Sequence, residues 1–338
     1  MIVFWALFAG SRLTLLGPYV ITGLQSKRGA AMDELDLRTE EISTKTPSGA
    51  SGFLLQNNPE LQKLFFTPTE NADPRVNDAK IRRLYMQAAS QQWYAPQRIN
   101  FDQEIKTDEE SLRVWQKFIT IFYTLEKMGL NVIQNMMSKA VRKYKSEEMA
   151  FYLSAQTFDE SRHVFAIEAY LRKLGAPPRY DWKYHVLGQV ASMGAFRVEN
   201  WLFSTLFSEN FASTFIRRAR QSNIDPIGND LCKYLLVDES RHLHFLHIVL
   251  PDVMDRLSML GKTYVKGAQY FIMKFSETVL RNMEKEASHV GLDRQAMMEE
   301  IFENVEKGYE SFGVSRKWLW FPKIYPTKIT PTQRIVVS

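Results

Sequence analysis

The sequence predicts an all-α chain organised around a four-helix bundle. Apolar residues recur at spacings of three and four over long stretches between about 107 and 250. Helix caps and stops fall at the ends of those stretches, and neither strand alternation nor a glycine-rich phosphate loop appears. With 338 residues, 45% of them hydrophobic and 24% charged, the chain carries enough apolar surface for a large core.

The first 24 residues are apolar, but Arg12, Gly17 and Pro18 interrupt them and no basic stretch precedes them, which argues against a membrane anchor or a secretory signal. Met32 opens a polar stretch, MDELDLRTEE, so an over-extended start competes with an N-terminal anchor as the reading of residues 1–31, and the segment is given no part in the chemistry. Residues 33–75 mix Ser, Thr, Gly, Pro and charge without periodicity and read as an irregular arm. The first bundle helix is expected from a capping box at Thr107-x-x-Glu110 to about Lys143, and the second from Ser146 to a stop at Gly175 before Pro177 and Pro178. A third apolar run spans 186–221; a fourth starts at the cap Asp225 and Pro226 and is expected to end before Pro251. Two or more helices follow between about 252 and 312, and a proline-rich tail cannot continue them. The expected organisation is an N-terminal extension over 1–95, the bundle with accessory helices over 96–312, and an irregular tail over 313–338.

The single cysteine, Cys232, excludes an intramolecular disulfide and any C-x-x-C site, which fits a reducing cytoplasm and leaves oxygen and nitrogen as the metal donors. The net charge of +5 is modest. Its basic groups, such as Arg217, Arg218 and Arg220 or Lys139, Arg142, Lys143 and Lys145, cluster at expected helix ends, so no nucleic-acid partner is expected.

Two segments carry one word: Asp159-Glu160-Ser161-Arg162-His163 and Asp238-Glu239-Ser240-Arg241-His242 both read D-E-S-R-H. On a helix, a Glu and a His three residues apart share a face, so each pair can reach a common ion. Both pairs interrupt apolar seams: Leu153, Glu160, Ile167 and Leu174 with Met149, Gln156, His163 and Tyr170, and Cys232, Glu239 and Leu246 with Leu235, His242 and Val249. Glu126 is the one charge on a third seam of Leu112, Ile119, Ile133 and Ala140. A carboxylate buried without a partner costs several kcal/mol, so these groups must be protonated, paired or metal-bound. One Glu-x-x-His is usually a surface pair; two copies on apolar seams point to a dinuclear centre of one Glu from each of two helices and a Glu-x-x-His from each of the other two.

The third helix offers Glu199 and Glu209 for the remaining position. Glu239 lies about 14 residues past the start of its helix, and an antiparallel neighbour ending near Gln221 places Glu209 at 12 residues and Glu199 at 22 from that end. The depth favours Glu209 as ligand and leaves Glu199 as an alternative nearer the bundle mouth. Four carboxylates and two imidazoles suit iron and manganese above other ions. Asp159 and Asp238 can accept the second ring N–H of the histidines across the bundle, Asp238 from His163 and Asp159 from His242, with Arg162 and Arg241 balancing the aspartates.

These residues resemble the ferritin-like carboxylate-bridged diiron oxidases, which include bacterial multicomponent monooxygenases, acyl-carrier-protein desaturases and the ribonucleotide reductase small subunit. Residues about 107–250 carry the resemblance, and the doubled D-E-x-R-H is most similar to the monooxygenases and, in its second copy, to the desaturases. Glu126, Glu160, His163, Glu209, Glu239 and His242 match the family's six ligands, and Ser213, four residues after Glu209, matches a hydroxyl residue the monooxygenases use in handling dioxygen. The stretch from Trp93 to Asp102 resembles the W-x-P-x-x-I-D segment of reductase-like oxidases. The reductase's radical tyrosine has no counterpart: its position is Ile167, and Tyr170 is the nearby tyrosine on the stripe.

The resemblance implies an oxidoreductase that activates dioxygen at two iron ions, with Mn/Fe as an alternative pair, and hydroxylates or desaturates an apolar small or carrier-bound substrate. Gly129, Ala212 and Ser213 would leave room beside the ions. A ferredoxin or flavin reductase would supply electrons, and a homodimer is expected. The alternative is a reductase-like oxidase or radical generator serving a larger partner; iron storage ranks third.

Overall fold

The computed structural model describes residues 77–178, 197–223, 225–315 and 318–326. Among these there is no strand, and the helices, in chain order, are α1 (Asp78–Ser90), α2 (Ala95–Arg98), α3 (Glu109–Tyr144), α4 (Glu147–Lys173), α5 (Val198–Gln221), α6 (Pro226–Arg256), α7 (Met259–Asn282), α8 (Glu284–His289) and α9 (Arg294–Ser311). Helices α3 to α6 form the bundle. The pairs α3/α4 and α5/α6 pack as antiparallel hairpins across short connections, and α4 against α6 and α3 against α5 close the ring.

Local chemistry sets the helix ends. The cap of α3 is Asp108, not Thr107: its carboxylate accepts from the Ser111 N–H at 2.8 Å and from the Ser111 hydroxyl at 2.6 Å, so the helix opens one residue later than the capping box predicts. Ser146 caps α4 by accepting from the Met149 N–H. Gly175, at φ +77°, stops it, with the Gly175 N–H on Arg172 O and the Ala176 N–H on Leu171 O. Asp225 caps α6, accepting from the Gly228 N–H at 2.8 Å, and Pro226 fills the first turn.

Two expectations change, at Pro251 and ahead of residue 95, and one lies partly outside the described residues. Helix α6 continues through Pro251 to Arg256, because Leu250, Val253 and Met254 are buried on either side and their packing outweighs the lost backbone hydrogen bond. The third bundle helix is described from Val198; the expected 186–196 portion lies outside the described residues, as do residues 1–76 with their apolar start. Helix α1 precedes the boundary expected at residue 95, yet it buries Ile81, Leu84 and Ala88 against α4 and α6, so ordered packing begins upstream. Around the bundle, α7 and α9 lie on α5, and α8 lies on α3. In the tail, Trp318 stacks near Tyr309 and Phe321 near Phe302, while Arg294 donates to the Tyr325 carbonyl. No helix among the described residues is long and apolar enough to cross a membrane.

Candidate metal centre

The long helices α3 to α6 place four glutamates and two histidines at one level of the bundle, all buried: Glu126 on α3, Glu160 and His163 on α4, Glu209 on α5, Glu239 and His242 on α6. They form two groups, Glu126, His163 and Glu239, and Glu160, Glu209 and His242, each with one donor atom per residue and those atoms within 4.8 Å of one another. His163 Nδ1 lies 3.3 Å from Glu126, 3.4 Å from Glu239 and 3.8 Å from Glu160. His242 Nδ1 lies 3.5 Å from each of Glu160, Glu209 and Glu239. Glu160 and Glu239 therefore face both rings, whereas Glu126 faces His163 and Glu209 faces His242.

The opposite ring nitrogens meet the aspartates of the other word. His163 Nε2 donates to Asp238 at 3.1 Å, and His242 Nε2 lies 3.5 Å from Asp159. Arg162 pairs with Asp159 and, at 3.0 Å, with Asp238; Arg241 pairs with Asp238 and, at 2.7 Å, with Asp159. The two D-E-S-R-H words thus interlock through a buried square of two aspartates and two arginines.

The electrostatics follow from this crowding. Burial, then the neighbouring Glu126 charge, pushes the Glu160 carboxyl up to about 8; burial and Glu209 push Glu239 up to about 8. Burial alone would lower both imidazoles. For His163 the hydrogen bonds to Asp238 and Glu126 reverse this, and for His242 the Glu209 charge and the contact with Asp159 do, so both end well above the ordinary histidine value. Burial would raise Asp238, but the hydrogen bond and charge of His163 outweigh it and hold the carboxyl well below the usual range.

The donor set fits two cations. Glu239 Oε2 and His242 Nδ1, which faces the carboxylates, are buried without a hydrogen-bond partner, an uncommon state for polar atoms that a metal ion would relieve. Oxygen and imidazole donors without thiolate suit iron or manganese.

Glu199 stands apart from these groups: it pairs with Lys143 and, at 3.8 Å, with Arg197. Ser213 is half-buried with its hydroxyl unpartnered. Ile167 is fully buried, and Tyr170 is committed elsewhere: its hydroxyl donates to Asp225 and accepts from the Trp115 indole at 2.6 Å, linking the end of α4 to the cap of α6. Gly129 is exposed on α3, and a Cβ there would lie 3.9 Å from Glu160 Oε2, so the centre approaches the surface between α3 and α4.

The corner between α1 and α2 supplies partners that the motif reading left out. The Trp93 indole N–H donates to Asp238 at 2.8 Å, with Arg162 over its ring, and Gln92 and Gln91 accept from Arg162 and Arg241. The signal was the spacing of Ile81, Leu84 and Ala88 behind a cap at Asn77, which marks a packed helix ahead of Trp93. Gln156, on the predicted inward stripe, donates to Glu209 at 3.4 Å.

A known family and a solved structure are similar to this chain. The family model for p-aminobenzoate N-oxygenase AurF matches residues 116–310, a stretch holding all six residues of the two groups. A solved structure, the R2-like ligand-binding oxidase from Sulfolobus acidocaldarius, is similar with a TM-score of 0.52 at 15% identity, over 74% of this chain and 92% of that chain. At that identity the likeness establishes the fold, a ferritin-like bundle. No curated protein matches the chain.

Proposed function

The chain belongs to the p-aminobenzoate N-oxygenase AurF family, within the ferritin-like diiron oxidases, and from that premise we propose that it is an iron-dependent oxygenase acting on a small, largely apolar aromatic amine. The observation that carries the proposal is the sharing of Glu160 and Glu239 between the two groups, which suits a pair of ions held side by side. Such a pair, when reduced, supplies the electrons that activate dioxygen.

The protein's own residues do the rest. Glu126 and His163 would hold one ion and Glu209 and His242 the other, with Glu160 and Glu239 between them. Asp238 fixes the His163 ring so that Nδ1 faces the carboxylates, and Asp159 faces the corresponding edge of His242. Apolar walls above and below, from Ile119, Ile133, Leu153 and Ile167, exclude bulk water. The overall reaction takes R–NH2, dioxygen, two electrons and two protons to R–NHOH and water, so an external donor such as a ferredoxin or flavin reductase is required.

The test begins with metal analysis after anaerobic loading with iron(II). About two ions per chain are expected, one for each donor group, and Glu160→Ala and Glu239→Ala should each lose most of both because these side chains face both groups. Dioxygen uptake by the reduced protein should then depend on p-aminobenzoate or another aniline and yield an oxygenated amine by mass spectrometry. Near-zero iron in a folded preparation would sink the dinuclear reading; iron without amine oxidation would sink the substrate class alone.

A further inference from the structure

The doubled word gives the two halves of the centre the same donors, but the residue one turn ahead of each word differs. Gln156 stands four residues before Glu160, and Leu235 four residues before Glu239. Helix α4 ends where α6 begins, at the Tyr170–Asp225 link, so the two helices run in opposite directions and these residues lie on opposite sides of the metal level. Gln156 is buried, and its amide N–H donates to Glu209 Oε1 at 3.4 Å, while Glu209 Oε2 lies 3.5 Å from His242 Nδ1. One oxygen of Glu209 is thus held by the amide and the other faces the donor group. Leu235, also buried, has no donor to offer at the corresponding place. The open space is one-sided too. Ile119, Ile167, Ile216 and Cys232, each seven residues along its helix from a glutamate of the centre, line an apolar cavity together with Phe122 and Leu235, on the side away from Gln156.

We propose that Gln156 is a positioning residue that makes the two ion positions unequal: by holding one oxygen of Glu209 it leaves the ion of the Glu160, Glu209 and His242 group one donor short, open to a small neutral molecule the size of dioxygen. The inference rests on the dinuclear reading above. A carboxylate can bind an ion through one oxygen or through both, and a hydrogen bond to one oxygen favours the single-oxygen form. Glu209 carries that restraint. Leu235 places none on the other half, so Glu126 is free to use both oxygens and complete the set around its own ion. The cavity fits the same division. Its lining includes no charged side chain, so it admits a small apolar molecule to the side of the centre that Gln156 leaves open and gives no hold to an anion.

The test uses the full chain loaded anaerobically with iron(II) and titrated with nitric oxide, a neutral diatomic that enters open positions on that ion. Two variants remove the restraint: Gln156→Met keeps the length of the side chain without the donor, and Gln156→Asn keeps the donor on a stem too short to reach Glu209. Both should retain the helicity and the metal content of wild type, while their affinity for nitric oxide falls by about tenfold or more as the second oxygen of Glu209 closes the position. On cobalt(II)-loaded protein the visible band should weaken in both, because a donor has been added to one ion. A side chain that only filled space would move the melting temperature and leave these two signals alone. Unchanged nitric oxide affinity in a folded variant, or loss of an ion from it, would overturn the inference; two ions per wild-type chain would then leave the dinuclear reading standing, whereas a folded wild type that takes up no iron removes both.

Discussion

Glu160 and Glu239 sit where neighbouring negative charge and burial both oppose ionisation, and each is pushed up to about 8 from an ordinary 4.5. Between those values the folded metal-free protein holds protons that the unfolded chain has released, so stability falls as pH rises through that window. The raised histidines act in the same direction, since their contribution is complete below 6.5 and is lost as pH climbs toward the folded values. The melting temperature of metal-free protein should therefore drop between about pH 5 and pH 8, whereas iron-loaded protein should hold steady and iron uptake should release protons; a metal-free protein that gains stability over this range would contradict the account. Glu209 and Glu199 separate as sharply. Glu209→Ala should leave about one ion per chain, because its carboxylate faces only the His242 group, while Glu199→Ala should keep both and lose the pairing with Lys143. Glu160, His163, Glu239 and His242 were readable because i, i+3 spacing on an apolar seam leaves one inward direction, Glu126 because it is the one charge on its seam, and Glu209 only through its depth along the helix. The stretch at Trp93 could be singled out, but the contacts of Trp93, Gln91 and Gln92 with Asp238, Arg162 and Arg241 could not, because they are made by a tertiary route that no spacing encodes.

Helix α4 meets the start of α6 at one tight point. A Cβ on Gly228 would fall 2.6 Å from the Tyr170 hydroxyl and 3.1 Å from an Asp225 carboxylate oxygen, so only glycine fits beneath the Tyr170–Asp225 link. Gly228→Ala should cost about 1–3 kcal/mol, read as a lower midpoint in thermal unfolding, while leaving the metal content of the folded protein unchanged. Tyr170→Phe should also destabilise, by about 1–3 kcal/mol, since it strands the buried Asp225 and Trp115 groups. At this scale the sequence was most legible where a cap has a single strong candidate, as at Ser146, Asp225 and Gly175. It was least legible where tertiary packing overrides a local rule: Pro251 reads as a stop, and the buried Leu250, Val253 and Met254 carry the helix past it.

At the scale of the whole molecule, Gly129 is an exposed position on α3 at which an added side chain would reach Glu160 of the centre. Gly129→Phe should raise KM for a ring-sized amine by about tenfold, roughly 1.4 kcal/mol, with the metal content intact; an unchanged KM would place substrate access elsewhere. Each donor group, moreover, draws two residues from one hairpin and one from the other: Glu126 and His163 with Glu239, and Glu209 and His242 with Glu160. Neither hairpin owns a complete set, and the aspartate beside each imidazole also comes from the opposite hairpin. Metal capture is therefore a late event in the life of the chain. During refolding, helical signal should return before a cobalt(II) absorption band appears, and the band should grow at the rate of hairpin docking whatever the cobalt concentration, so that the ions arrive as a signature that assembly has finished.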